Sequence, residues 1–118
     1  MIFDLQTRVW PSIDRLGRET AQILRRARAS RWIRDSAEPE QLHESLECVD
    51  GAFVLAYQCL RQDACIPNEW VAEVVSKSPR PLYGIAGIDP MSPDVQEELS
   101  SAVEMGFVGI AAPYKCKR

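Results

Sequence analysis

Histidine occurs once in this chain of 118 residues, as His43. A zinc site draws about four ligands, mostly from cysteine and histidine. The four cysteines, Cys48, Cys59, Cys65 and Cys116, form no C-x-x-C pair, and only Cys48 lies near His43. This argues against a zinc finger or ribbon. The cysteines are expected to be reduced thiols that pack as small apolar residues. The six glycines form neither G-x-G-x-x-G nor G-x-x-x-x-G-K-[ST] after a strand-like run, so both glycine-rich phosphate cradles lose their support. No G-x-S-x-G marks an esterase elbow. The longest mostly apolar run, Gly51 to Tyr57, falls far short of the roughly 20 residues of a membrane span. Asp4 and Gln6 stand where a secretory leader would be apolar. The expectation is a cytoplasmic protein without membrane contact.

What is present suits one folded domain over residues 1–118: 46% hydrophobic residues, 26% charged, and a net charge of -3. The charge is uneven. Residues 1–34 carry eight arginines against Asp4, Asp14 and Glu19, whereas the rest carries fourteen acids against six bases. The arginines fall opposite an apolar stripe at helical spacing. Arg25, Arg26 and Arg28 lie near the end of that helix, where cations favour the dipole. A solvated helix face is expected, and no nucleic-acid partner.

Ile2 to Val9 alternates with period two and predicts a strand, with Phe3, Leu5, Thr7 and Val9 on one face and Ile2, Asp4, Gln6 and Arg8 on the other. Pro11-Ser12 opens a helix whose stripe is Ile13, Leu16, Thr20, Ile23, Leu24 and Ala27, fading near Ala29-Ser30. Asp35 or Ser36 caps a second helix with Pro39 in its first turn. Its buried positions are Leu42, Leu46 and Val49, His43 falls between them, and Gly51 is its stop. Ala52 to Tyr57 reads as a strand buried on both faces. A third helix starts at Pro67-Asn68-Glu69, buries Trp70, Val71, Val74 and Val75, and stops at Pro79. Leu82 to Ile88 is the next strand. Ser92-Pro93-Asp94 starts a fourth helix with Val95, Leu99, Ala102 and Met105 along one side and Gly106 after it. Phe107 to Ala111 is the last strand. Strands alternating with helices predict an α/β fold with a parallel sheet.

Several stretches, in this order and spacing, resemble one known family. They are Ile2-Phe3-Asp4-Leu5-Gln6-Thr7-Arg8 with Trp10-Pro11, Leu46 to Leu55, Ile66 to Val75, Tyr83 to Pro90, and Glu98-Leu99 with Ala102 to Ile110. Together they are similar to the N-terminal half of the amidohydrolase-related, aminocarboxymuconate-semialdehyde-decarboxylase-like metal-dependent hydrolases. The resemblance implies about four strands of a TIM-type (β/α)8 barrel, a half or truncated barrel, because a whole one takes about 250 residues. It also implies a divalent metal, typically zinc, held first by a His-x-His pair on the opening strand.

Gln6 and Arg8 occupy those two positions here. A glutamine amide is a poor zinc ligand, and a guanidinium offers no lone pair. The later-strand histidine and aspartate have no counterpart. The expectation is therefore no metal, no cofactor and no catalytic residue in this chain. Arg8 has two readings: with Gln6 it holds a small carboxylate or other anion, or, as the favoured expectation, it pairs with an acid such as Asp4. Asp89, at the exit of a strand, is either a site residue or a cap for the turn before Pro90. Tyr114 and Lys115 follow the last strand and read as frayed. Four βα units leave two open sheet edges. The chain is expected to be a segment of a longer polypeptide or a truncated product. Otherwise it forms a homodimer, pairs with a full-length relative through the open edge, or curls into a small open sandwich.

Overall fold

The structure is a computed structural model and describes residues 1–27 and 36–113. The readings placed on Arg28, Ala29, Ser30, Asp35, Tyr114, Lys115 and Cys116 lie outside the described residues.

In chain order the elements are β1 (Phe3–Thr7), a 3-10 turn (Ile13–Leu16), α1 (Arg18–Ala27), α2 (Pro39–Ser45), β2 (Gly51–Leu55), β3 (Tyr57–Cys59), a second 3-10 turn (Leu60–Gln62), β4 (Ala64–Ile66), α3 (Asn68–Lys77), β5 (Leu82–Gly87), α4 (Val95–Glu104) and β6 (Gly109–Ala111). The main sheet has four strands in the order β1-β2-β5-β6, every pair parallel. Between β2 and β5 the chain inserts a two-stranded antiparallel hairpin, β3–β4. The expected α/β fold is what is found: a parallel four-stranded sheet with flanking helices, consistent with part of a (β/α) barrel.

Helices cover one face of this sheet. Ala52 and Val54 of β2 are wholly buried there, together with Val9, Leu42, Leu46, Val71 and Val74. Ala86 is buried beside Ala102, with Val95, Leu99 and Phe107 packed around them. Full burial of a valine such as Val54 or Val71 stabilises the fold by about 1.5–3 kcal/mol. The predicted stripes of α2, α3 and α4 are the ones used. Phe53 and Leu55 alternate with Ala52 and Val54 and stay half-buried, so β2 is covered on one face, not two.

The opening strand departs from strict alternation. Phe3 pairs with Gly51, Asp4 with Ala52 and Thr7 with Val54, so three steps along β1 match two along β2. Asp4 causes the slip locally, because its Oδ1 accepts the Gln6 amide at 2.9 Å and draws it out of the ladder. One slipped residue exchanges the faces beyond it. Thr7 therefore lies on the helix-covered side with Val54, and Val9 is fully buried near Leu42. Phe3 lies on the other side against Phe53.

The first helix is not continuous. Ser12 caps a 3-10 turn by accepting the Asp14 amide at 3.3 Å, and the turn ends at Gly17 with φ +97°. A Cβ at Gly17 would stand 2.7 Å from the Gln62 carbonyl oxygen, so the hairpin presses on this point. α1 restarts at Arg18, rotated from the expected stripe: Ala21 is buried, while Thr20, Ile23 and Ala27 are exposed. Arg25 donates to Asp14 at 2.8 Å, holding that carboxyl below the usual carboxylate range and tying α1 to the turn.

Other ends shift for local reasons. Glu38, not Ser36, is the residue before α2, and Pro39 takes the first turn as expected. α2 stops at Ser45, where Arg80 donates to the carbonyls of Leu46 and Val49, and Gly51 opens β2 instead of ending the helix. Ser92 accepts the Asp94 amide in a turn of its own, so α4 begins at Val95. Phe107 packs against the core and over Gly84 rather than joining β6.

Candidate functional site at the strand ends

Parallel strands send their C-terminal ends to one rim, where barrel folds place their sites. Here the rim carries Arg8 after β1, the start of the hairpin after β2, and Ile88-Asp89 after β5. The hairpin roofs it. A Cβ at Gly87 would lie 2.5 Å from the Tyr57 nitrogen and 2.6 Å from its Cα, so the chain leaving β2 crosses directly over the end of β5. Asn68, the first residue of α3, donates to the Gly87 carbonyl at 3.2 Å and accepts the Gly87 amide at 2.8 Å. On the far side, Gln58 donates to Glu98 at 3.3 Å, and the Ser92 hydroxyl donates to the same carboxylate oxygen at 3.0 Å.

Asp89 is 4% exposed. Its Oδ2 accepts the Leu60 amide at 2.8 Å and its Oδ1 accepts the Met91 amide at 2.9 Å. One carboxylate thus caps its own turn and pins the hairpin. Arg8 lies with its Cζ 5.4 Å from the centroid of the Tyr57 ring, a cation–π contact. The favoured pairing with Asp4 is not found: Arg8 makes no ion pair among the described residues, and Asp4 bonds to the Gln6 amide instead. The Asp4 carboxylate is spent on its own strand, while Arg8, beyond the end of β1, lies over the hairpin's Tyr57. Gln6 is exposed at the edge strand.

Beside the rim, a cleft of about 730 Å³ opens between β1, α1 and α2. Its walls include Arg8, Trp10 and Thr7 but also Asp4, Glu38 and Glu44. The Thr7 hydroxyl and the Trp10 ring nitrogen are buried without a hydrogen-bond partner among the described residues. His43 is half-buried on α2, its Nδ1 likewise unpartnered. Among the described residues no three His, Cys, Asp or Glu side chains gather where they could hold a metal ion, and no helix is long and apolar enough to cross a membrane.

Cys48 is exposed, Cys65 half-buried and Cys59 buried. Burial pushes the Cys65 thiol up; Arg15 opposes this, and Glu69 and Glu98 add to it. Since the thiolate is the reactive form, iodoacetamide at pH 8 is expected to modify, among the three described cysteines, Cys48 first, Cys65 about tenfold more slowly, and Cys59 only as the fold opens. Timed alkylation with peptide mass spectrometry checks the order; Cys65 reacting as fast as Cys48 would contradict it.

Tyr57 and Asn68 had no site role in the sequence. Asn68 was legible only as a helix start, and Tyr57 only as the end of an apolar run. Comparison of the chain with protein-family models, with curated proteins and with solved structures finds no match in any of the three. Fold and rim together define the class: a parallel β/α domain consistent with a partial (β/α) barrel, its strand-end rim roofed by a hairpin.

Proposed function

We propose that this chain is a non-catalytic barrel module of the amidohydrolase-related kind, which holds a small monocarboxylate on Arg8 at the roofed rim. The observation that carries the reading is the state of Arg8. Its guanidinium lies over the Tyr57 ring and has no acidic partner among the described residues, so its N–H donors are offered to a planar carboxylate. The contact also lowers the entropy lost when a ligand is bound. Asp4, Glu38 and Glu44 in the adjoining cleft would repel a polyanion, which favours a single charge.

The residues present do not fit the divalent metal that the family resemblance implies. Gln6 and Arg8 replace the histidine pair, and both oxygens of Asp89 accept backbone amides. Metal-dependent hydrolysis or decarboxylation is therefore not assigned to these residues. The test has two arms. Protein purified from zinc-supplemented medium is expected to carry well under one equivalent of metal by elemental analysis. Calorimetric titration with acetate and benzoate is expected to show saturable binding that weakens about tenfold or more in Arg8→Ala, the loss of about 1.4 kcal/mol or more that fits one charge-assisted contact. Equal binding by both proteins, or none by either, would refute the site. Stoichiometric metal would refute the non-catalytic reading.

A further inference from the structure

We propose that two copies of this chain close into one eight-stranded parallel barrel, the β1 edge of each pairing with the β6 edge of the other. The sheet has a covered face and a bare one. The bare face presents Phe3, Leu5, Phe53, Leu55, Tyr83 and Ile85, none of which belongs to either buried cluster. Leu5 is 69% and Tyr83 44% exposed. The three rings touch one another, with centroids 5.2, 5.9 and 6.0 Å apart. The other positions facing this side on β2, β5 and β6 are Gly51, Gly109 and Ala111, small and uncharged, and Gly87, where the hairpin crosses over the end of β5.

A second copy fits this face by number, direction and area. An eight-stranded parallel barrel is filled by about twelve side chains in three layers of four, and two copies supply twice the six above. The strand order follows the chain and every strand runs the same way. A two-fold axis running along the strands, in front of the bare face, therefore sets one copy's β6 beside the partner's β1 in parallel and pairs both edges. Packing the two bare faces as a sandwich would leave all four edges open. Ile110 projects from the helix side of β6, where it is 57% exposed. Closure stands it against the cleft that flanks β1 on that same side. Ile2, Leu5, Tyr83, Val108 and Ile110, each 44% exposed or more, offer on the order of 500 Å² of the roughly 800 Å² per partner of a standard interface. The two edges and the half-buried remainder of the face supply the rest. Closure does not depend on carboxylate binding, since it uses the face and the edges and not the Arg8 guanidinium.

The purified chain is expected to scatter light as a particle of twice 13.3 kDa at micromolar concentration. Amide exchange is expected to slow in Phe3–Thr7 and Gly109–Ala111 as concentration rises. Leu5 is 69% exposed, so Leu5→Lys removes little packing from the monomer, and it is expected to weaken association at least tenfold with an unchanged far-ultraviolet circular dichroism spectrum. Val103→Lys, on the solvent side of α4, is expected to leave the dimer intact. A chain that stays monomeric at all concentrations overturns the proposal, as does a dimer that Leu5→Lys leaves untouched.

Discussion

Replacing Gly87 with alanine is expected to cost about 3 kcal/mol of stability, the upper end of what overpacking a rigid site does. The new methyl would meet backbone atoms of Tyr57 at 2.5 to 2.7 Å. Those atoms cannot rotate away as the tip of a side chain can. They are held by the β3–β4 ladder and, next door, by the Ala56 amide donating to the Ile85 carbonyl at 2.9 Å. The hairpin must lift from β5 or the sheet must bend, and either route disturbs the paired bonds between Gly87 and Asn68. Gly106 is the natural control. It has φ +83°, and no described atom lies within 4 Å of where a Cβ would stand, so Gly106→Ala is expected to lose only the about 1–2 kcal/mol of left-handed backbone strain. Urea denaturation of the two variants compares them directly. A Gly87→Ala protein within about 0.5 kcal/mol of wild type would mean that the hairpin does not press on the end of β5.

Asp89→Ala is expected to be the second large loss, about 2–4 kcal/mol. It removes two charge-assisted bonds and strands the Leu60 amide beneath the roof. Asp89→Asn keeps one acceptor oxygen and is expected to lose about half as much. Because the carboxylate ties the hairpin to the end of β5, the loss should concentrate there. Limited proteolysis is expected to cut the Asp89→Ala protein first near residues 60–63, before the helices yield. Binding of acetate or benzoate to the folded fraction is expected to survive, since Asp89 spends both oxygens on backbone amides. Wild-type stability in Asp89→Ala, with abolished ligand binding, would reverse the assignment and make Asp89 a site residue.

Where the sequence was readable, the element carried its own punctuation. β5 came out within a residue of its span because Pro81 and Pro90 bracket an apolar run. α3 and α4 were legible from stripes that need one neighbour each, and Gly106 marked the end of α4 through its left-handed backbone. The failures came where a side chain or a distant segment competes with the local pattern. Asp4 captures the Gln6 amide, and one such bond reversed the faces assigned to Thr7 and Val9. Gly17 looked like an interior helix residue because what forbids a side chain there is the Gln62 carbonyl, far away in sequence. The hairpin strands have three residues each, too short for alternation to register. Of the candidate site, Arg8, Gln6 and Asp89 were identifiable as strand-end residues. The ring beneath Arg8 and the amides around Asp89 were not, since they arrive with the hairpin.

The Asn68 carboxamide does something that usually takes a whole peptide unit. It offers one N–H and one C=O side by side, the same pair that a strand residue presents to its neighbour. β2 stops pairing with β5 at Ala56, where the chain turns away into the hairpin. On that side Gly87 meets Asn68 instead. The side chain thus impersonates the missing rung of β2. The sheet keeps its full ladder to the end of β5 although the strand that should supply the last step has left. A helix residue therefore fixes the length of the sheet, and the freedom of β2 to depart early is what allows a roof over the rim.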